Sequence, residues 1–372
     1  MTSEAPGPAA ALLKQRLGSL DLFRGFTMFM LIGESTLLYD RLRDPSLAGT
    51  VLHAIGMQLD HHPWNGLRCW DLVQPFFMFI VGVALALSTK NREARGESRK
   101  TITAHAVRRA VLLLVIGWAL YCIEPGRITF RFQNVLAQLS VTYIIAYFMM
   151  KRPAREQIAL SFGLILLTEV IYRVFWVAGY NQPFVPDHNF GSWFDMLVSG
   201  ELSAGHWVSF NAIPTTAHTI WGVLAGQWLM SASSAGKKLR VLALVGTAGV
   251  AAGFALTLVS PMIKRICTSS FVIASGGFCL LALAFCYWLV DVKGVRKGVI
   301  FFNIVGMNSL FIYIFSQTGA TEWLAHLVKP FTNAGFVWTG ALGAEIATSL
   351  AAWALLWLMC LWLYRRRILI KI

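Results

Sequence analysis

HHPWNGLRCWDLVQPFFMFIVG, residues 61 to 82, decides how the chain is read. Two histidines and an Asn-Gly turn stand directly before an apolar run long enough to enter a membrane, and Asp71, Gln74 and Pro75 fall inside that run. Titratable groups are thereby placed at a membrane face.

The same theme repeats along the chain. Of 372 residues, 56% are hydrophobic and 13% charged, and apolar blocks of about 18 to 24 residues recur, the length a helix needs to cross roughly 30 Å of hydrocarbon. Backbone N–H and C=O groups find no water there, and the alternation of a membrane barrel is absent, so the blocks are expected to be helices. The fold class expected is an all-α polytopic membrane protein of about ten transmembrane helices, near 22–39, 70–88, 106–122, 135–150, 157–178, 208–230, 240–260, 268–290, 299–318 and 340–364. Residues 1–18 read as a cytoplasmic tail without a cleaved signal peptide. Residues 19–372 then form a single transmembrane domain with long outer loops at 40–69 and 179–207.

Charge orients the bundle. Lys90, Arg92, Arg95, Arg99, Lys100, Arg108 and Arg109, then Lys151, Arg152 and Arg155, then the groups around Lys237, Lys293 and Arg365, all fall on one side if both termini are cytoplasmic. The formal net charge of +14 is thus accounted for by topology, and its scatter over separate loops excludes a nucleic-acid surface. The outer loops collect acids and histidines instead, including Asp40, His53, Asp60, His61, His62, Asp187, His188 and His206. Their aromatic content argues against disorder and suits either a sugar ligand or an interfacial belt. Of the six cysteines, Cys69, Cys122 and Cys267 fall near the oxidising outer face, where a disulfide is open to them.

Polar residues inside the spans narrow the site, because burying them is costly. Asp21 and Arg24 share a helical face at the inner boundary, and Glu169 with Arg173 form a second pair four residues apart. Glu34 and Ser35 end the first span within reach of the His61 loop. His218 lies among small residues that permit close helix approach, and Asn303, Asn308 and Gln317 continue a polar series. A metal site at His53, Asp60, His61 and His62 is disfavoured, because adjacent histidines do not converge on one tetrahedral ion. Serine-nucleophile and phosphate-loop motifs are absent. A histidine acting as base or nucleophile remains, with Asp71 either orienting it or capping its own helix.

RLGSLDLFRGFTMFML (16–31), HHPWNGLRCWDLVQPFFMFIVG (61–82), IPTTAHTIWGVLAG (213–226), VDVKGVRKGVIFFNIVGMNSLFIYI (290–314) and LYRRRILIKI (363–372) resemble the family of heparan-α-glucosaminide N-acetyltransferase and its bacterial membrane homologues. The resemblance covers nearly the whole chain in one order. It implies transfer of acetyl from cytoplasmic acetyl-CoA to the amino group of a terminal glucosamine or other amino sugar across the bilayer. No metal and no nucleic acid are expected, a homodimer is suggested, and the setting implied is a bacterial inner membrane with the site toward the periplasm. The family's essential histidine falls at His61 rather than His62. Its second catalytic residue, an asparagine, falls at Ser35 on an ungapped alignment, beside Glu34, and a family arginine appears as Gln138. Candidate catalytic residues are therefore His61, Ser35, Glu34 and Asp71. Candidate substrate contacts are Trp64, Asn65, Gln74, His218, Asn308 and Gln317, and candidate cofactor contacts are Arg24, Asn303 and Lys293. A transporter using the histidine as a proton relay, and an acyltransferase acting on another envelope glycan, are the competing classes; the first lacks the internal repeat that transporters commonly show.

Overall fold

A computed structural model describes residues 17–123 and 125–370. Most of the expected N-terminal tail, residues 1–16, lies outside the described residues, as do Glu124, Lys371 and Ile372. Within them the chain is all-helical, and its only paired extended backbone is an isolated antiparallel bridge between Asn65 and Ile263.

The helices are numbered here in chain order: α1 Gly18–Glu34, α2 Leu38–Leu42, α3 Val51–Gln58, α4 Val73–Ala94, α5 Arg99–Ile123, α6 Val135–Met149, α7 Ala154–Val174 and α8 Phe190–Ser199. They continue as α9 Ala212–Leu229, α10 Ala235–Ala255, α11 Ser269–Cys286, α12 Val299–Met307, α13 Ser309–Gln317, α14 Ala320–Phe336 and α15 Gly340–Arg365. Several starts carry the polar caps expected of them: Asn134 accepts from Ala137 N at 2.9 Å before α6, Asn189 from Ser192 N at 3.2 Å before α8, and Thr50 from His53 N at 3.2 Å before α3. The two long segments expected outside, 40–69 and 179–207, are thus partly helical, and residues 319–339, expected as loop, hold α14, which folds back on α15 through a Thr332–Thr348 hydroxyl contact of 2.7 Å.

Six helices are long and apolar enough to cross a membrane, or seven if α12 and α13, bent by 69°, count as one span. That is fewer than the ten expected from hydropathy, and the reasons are local. The first helix has 17 residues and α6 only 15, α9 is laced with Thr215, Thr216, His218 and Thr219, and Asn308 breaks the ninth segment.

Close helix approach is set by glycine. A Cβ on Gly82 of α4 would run into the Thr219 carbonyl of α9, one on Gly222 into the Phe79 carbonyl, and one on Gly25 of α1 into the Phe302 carbonyl of α12. Around these contacts Phe23, Met28, Met78, Phe79 and Phe271 are fully buried. All six cysteines are free, and Cys267, Cys279, Cys286 and Cys360 are buried. Gly222→Leu should lower the thermal midpoint in detergent, by the equivalent of about 1 to 3 kcal/mol for overpacking a tight contact, while Gly163→Leu, a position with open space around it, should leave the midpoint within a degree or two of wild type.

Candidate active site

The His61–Gly66 turn is fixed by the chain segment just before α11. Gly66 N donates to Met262 O at 2.8 Å, Met262 N donates to Asn65 Oδ1 at 3.0 Å, and the Asn65–Ile263 bridge completes the pairing. Only glycine suits position 66, because a Cβ would land on the His62 ring. The partner segment is anchored in turn by Glu169 of α7, which pairs with Arg173 and accepts from Ser260 Oγ at 3.0 Å and Ser269 Oγ at 2.7 Å. The expected Glu169–Arg173 pair therefore exists, and it holds a loop in place.

This pairing delivers Lys264 to His61. The Lys264 side chain is only 6% exposed, and its Nζ lies 3.0 Å from His61 Nδ1 and 3.7 Å from Asp71 Oδ1, over the Trp207 ring at 5.2 Å. Asp71, 1% exposed, sits 3.0 Å from His61 Nδ1 through Oδ1, and its Oδ2 accepts from Arg68 N at 2.9 Å and His62 N at 3.2 Å. Asp71 thus makes both kinds of contact: one oxygen meets the His61 ring, and the other accepts from the backbone of the turn that leads into α4.

Asp71 and Lys264 compete for one ring nitrogen. With Asp71 ionised, Nδ1–H donates to it and Nε2, which has no hydrogen-bond partner among the described residues, keeps its lone pair. With Lys264 donating to Nδ1, the proton moves to Nε2. Burial first, then the Lys264 charge, pushes the His61 pKa down to about 4, so the ring is neutral at pH 7. Burial brings Lys264 down to about 8 against the pull of Asp71 and Glu34.

A cleft of about 180 Å³ opens beside this triad, lined among others by Glu34, His61, Gln74, Trp207, Lys264 and Gln317. Glu34 accepts from Trp70 Nε1 at 2.9 Å, and Gln74 pairs with Gln138, which continues to Gln133 O at 3.3 Å; Gln133 reaches Asp195 Oδ2 at 3.0 Å. Trp207 meets the His61 ring edge-on at 5.1 Å. The other loop aromatics, Phe190, Trp193, Phe194 and Phe210, pack on one another as a core under the loop.

Of the sequence candidates, the structure brings together Glu34, His61, Asp71, Gln74 and Gln317. Ser35 stands at the margin, its Oγ bound to Ile32 O at 2.9 Å and 3.2 Å from Thr321 Oγ1. Trp64 and Asn65 are structural ties, the indole donating to Phe184 O at 2.7 Å. His218 is fully buried against Ser275 Oγ at 2.9 Å, and buried Asn308 clamps Ile368 O at 3.1 Å and Ile370 N at 2.9 Å. Arg24, Asn303 and Lys293 lie toward the other end of the bundle, where Arg24 pairs with Asp21 and Ser19 N meets Asp291 at 3.2 Å. Lys264 and Trp207 do not stand out in the sequence; a Lys-Arg pair inside PMIKRIC, in a loop expected on the side poor in basic residues, is the available signal.

Comparison with known proteins is informative at the level of whole chains. No family model matches. The chain is 25% identical to heparan-alpha-glucosaminide N-acetyltransferase of Homo sapiens across 81% of its own length and 53% of the human protein. A segment of 90 residues, 23% of this chain and 14% of the relative, is 38% identical to the Mus musculus protein of the same name. The chain is distantly related to these enzymes and spans about half the length of the human one.

Lys264→Met should raise the His61 pKa from about 4 toward its ordinary 6.5, since a positive charge that disfavours the imidazolium is removed. The pH dependence of diethyl pyrocarbonate modification at His61, read by mass spectrometry, checks this; a midpoint that stays put or falls would contradict the electrostatics described.

Proposed function

We propose that this chain, a distant relative of heparan-alpha-glucosaminide N-acetyltransferase, is a membrane acetyltransferase that uses acetyl-CoA and acylates the amino group of a glucosamine-type sugar. The observation that carries the reading is the His61–Asp71–Lys264 cluster, opening on a cleft at one end of the bundle. In the proposed arrangement the six evident spans, together with α1, α6, α9 and the bent α12–α13 pair, make ten, with both termini cytoplasmic and the cleft toward the periplasm of a bacterial inner membrane.

His61 acts as the general base through Nε2. The acceptor amine attacks the thioester carbonyl, Nε2 takes the amine proton, and the Asp71 carboxylate stabilises the imidazolium. The C–S bond then breaks and the same proton passes to the departing sulfur, so acetamide and free thiol form with atoms and charge balanced. The Lys264 ammonium stands where negative charge develops on the thioester oxygen and on sulfur. Gln74 and Gln317 line the same cleft and supply polar contacts to the sugar. Ser35 shapes its margin.

The test is transfer of labelled acetyl from acetyl-CoA to glucosamine by purified protein in detergent. His61→Ala should lower kcat by about 10² to 10⁴, the range for a lost general base, while coenzyme A binding persists; Ser35→Ala should cost less, and His62→Ala should stay near wild type. Activity retained in His61→Ala would remove the central assignment. Coenzyme A binding without transfer to glucosamine would redirect the acceptor to another envelope amino sugar, and failure of the wild type to bind coenzyme A would favour a transporter.

A further inference from the structure

One wall of the His61 cleft carries a run of hydrogen-bonded amides, Gln74, Gln138 and Gln133, whose direction is set from the α8 loop. Asp195 of α8 is 1% exposed and accepts from Ser209 N through both oxygens, each at 3.1 Å. Its Oδ2 also lies 3.0 Å from Gln133 Nε2. A carboxylate only accepts, so the Gln133 amide turns its NH2 to Asp195 and its oxygen away. Gln133 is 7% exposed and lines the cleft, and that oxygen is buried without a hydrogen-bond partner. A buried acceptor left without a donor is costly, and a ligand O–H that reaches it removes the cost.

The same polarity is handed on to Gln74. The backbone carbonyl of Gln133 can only accept, and it takes Gln138 Nε2 at 3.3 Å, so Gln138 Oε1 is left to accept from Gln74 Nε2. Gln74 Oε1 then has no partner among the described residues of the cleft wall. The cleft is therefore rich in acceptors: these two amide oxygens and the Glu34 carboxylate line it, and Lys264 is the only lysine or arginine among its described lining residues. We propose that Gln74 and Gln133 accept hydrogen bonds from hydroxyl groups of the acceptor sugar, with Asp195 as the positioning residue that keeps their oxygens turned toward it. The amine is committed to His61 Nε2, so the hydroxyls are the donors left for the amides. This rests on the acyltransferase reading and narrows its acceptor to polyhydroxylated amines, selected by the O–H groups they donate as well as by the amine they carry.

Monodeoxy and deoxyfluoro glucosamines test this, because each lacks one O–H donor and the fluoro compounds keep a weak acceptor in its place. For the wild type, removing the recognised hydroxyl should raise KM roughly three- to tenfold, the weight of a neutral hydrogen bond, with the effect on KM rather than kcat. In Gln133→Met the KM for glucosamine itself should rise by a similar factor, and the penalty for the deoxy sugar should disappear. Asp195→Asn keeps the shape but offers its own NH2, so the Gln133 amide turns over and shows a donor to the cleft. The deoxyfluoro penalty should then shrink while the deoxy penalty remains, a split that loss of packing does not produce; this variant carries the test if Gln133→Met fails to fold. A wild-type KM indifferent to every single hydroxyl, a penalty unchanged in both variants, or losses confined to kcat overturns the proposal. If the wild type acetylates no amine, the acyltransferase reading has failed by itself. Glucosamine binding by calorimetry, weakened by deoxygenation in the wild type and not in Gln133→Met, still decides the subsite.

Discussion

Asp71 carries its charge at 1% exposure, and the structure around it exists to make that tolerable. A carboxylate withdrawn from water costs several kcal/mol unless hydrogen bonds and opposite charge replace its hydration. Two backbone N–H groups from Arg68 and His62 satisfy one oxygen, and the His61 ring and Lys264 share the other. Each partner needs its own support. Arg68 is tied to Asp60, which also holds Arg43, and Lys264 hangs on a loop anchored to α7 by Glu169. Disturbing any of these strips solvation from one buried charge, so the cluster holds or fails as a unit.

The membrane imposes the second constraint. Helices that bury backbone against backbone at Gly25, Gly82 and Gly222 leave little interior space, and polar cavities open at both ends of the α4–α6 group, the His61 cleft at one and a cavity lined by Thr89, His105, Arg108 and Arg109 at the other. One end gathers both signs of charge around a neutral histidine, and the other gathers mainly arginines and lysines beside Tyr143 and Tyr147, with Glu93 and Glu97 paired among them. Small residues bring the bundle together; charged ones are kept for the ends, where water can reach them.

Much of this was written locally in the sequence. The His61–Asp71 relation spans ten residues across one turn, and the apolar run after it announces a helix, so a histidine held by a carboxylate at a membrane face could be anticipated. Lys264 is 203 residues from His61 and reaches it through one backbone bridge, a pairing with no periodicity to reveal it. His218 and Asn308 carried the same outward signal as cavity-lining residues, a polar side chain inside an apolar run, yet each is spent on packing partners that only the tertiary fold supplies. Hydropathy likewise registers apolar length alone, and neither the kink at Asn308 nor the fold-back of α14 on α15 shows in it.

The transfer proposed for the His61 cleft has an electrical consequence. On that reading the donor's phosphates stay on the cytoplasmic side, and a neutral acetyl group passes to the acceptor in the cleft. A membrane potential does work of about 2.3 kcal/mol per elementary charge per 100 mV, but none on a neutral group. Such an arrangement would let an energised and a de-energised membrane support the transfer equally, with the free energy of the thioester as its sole source of drive.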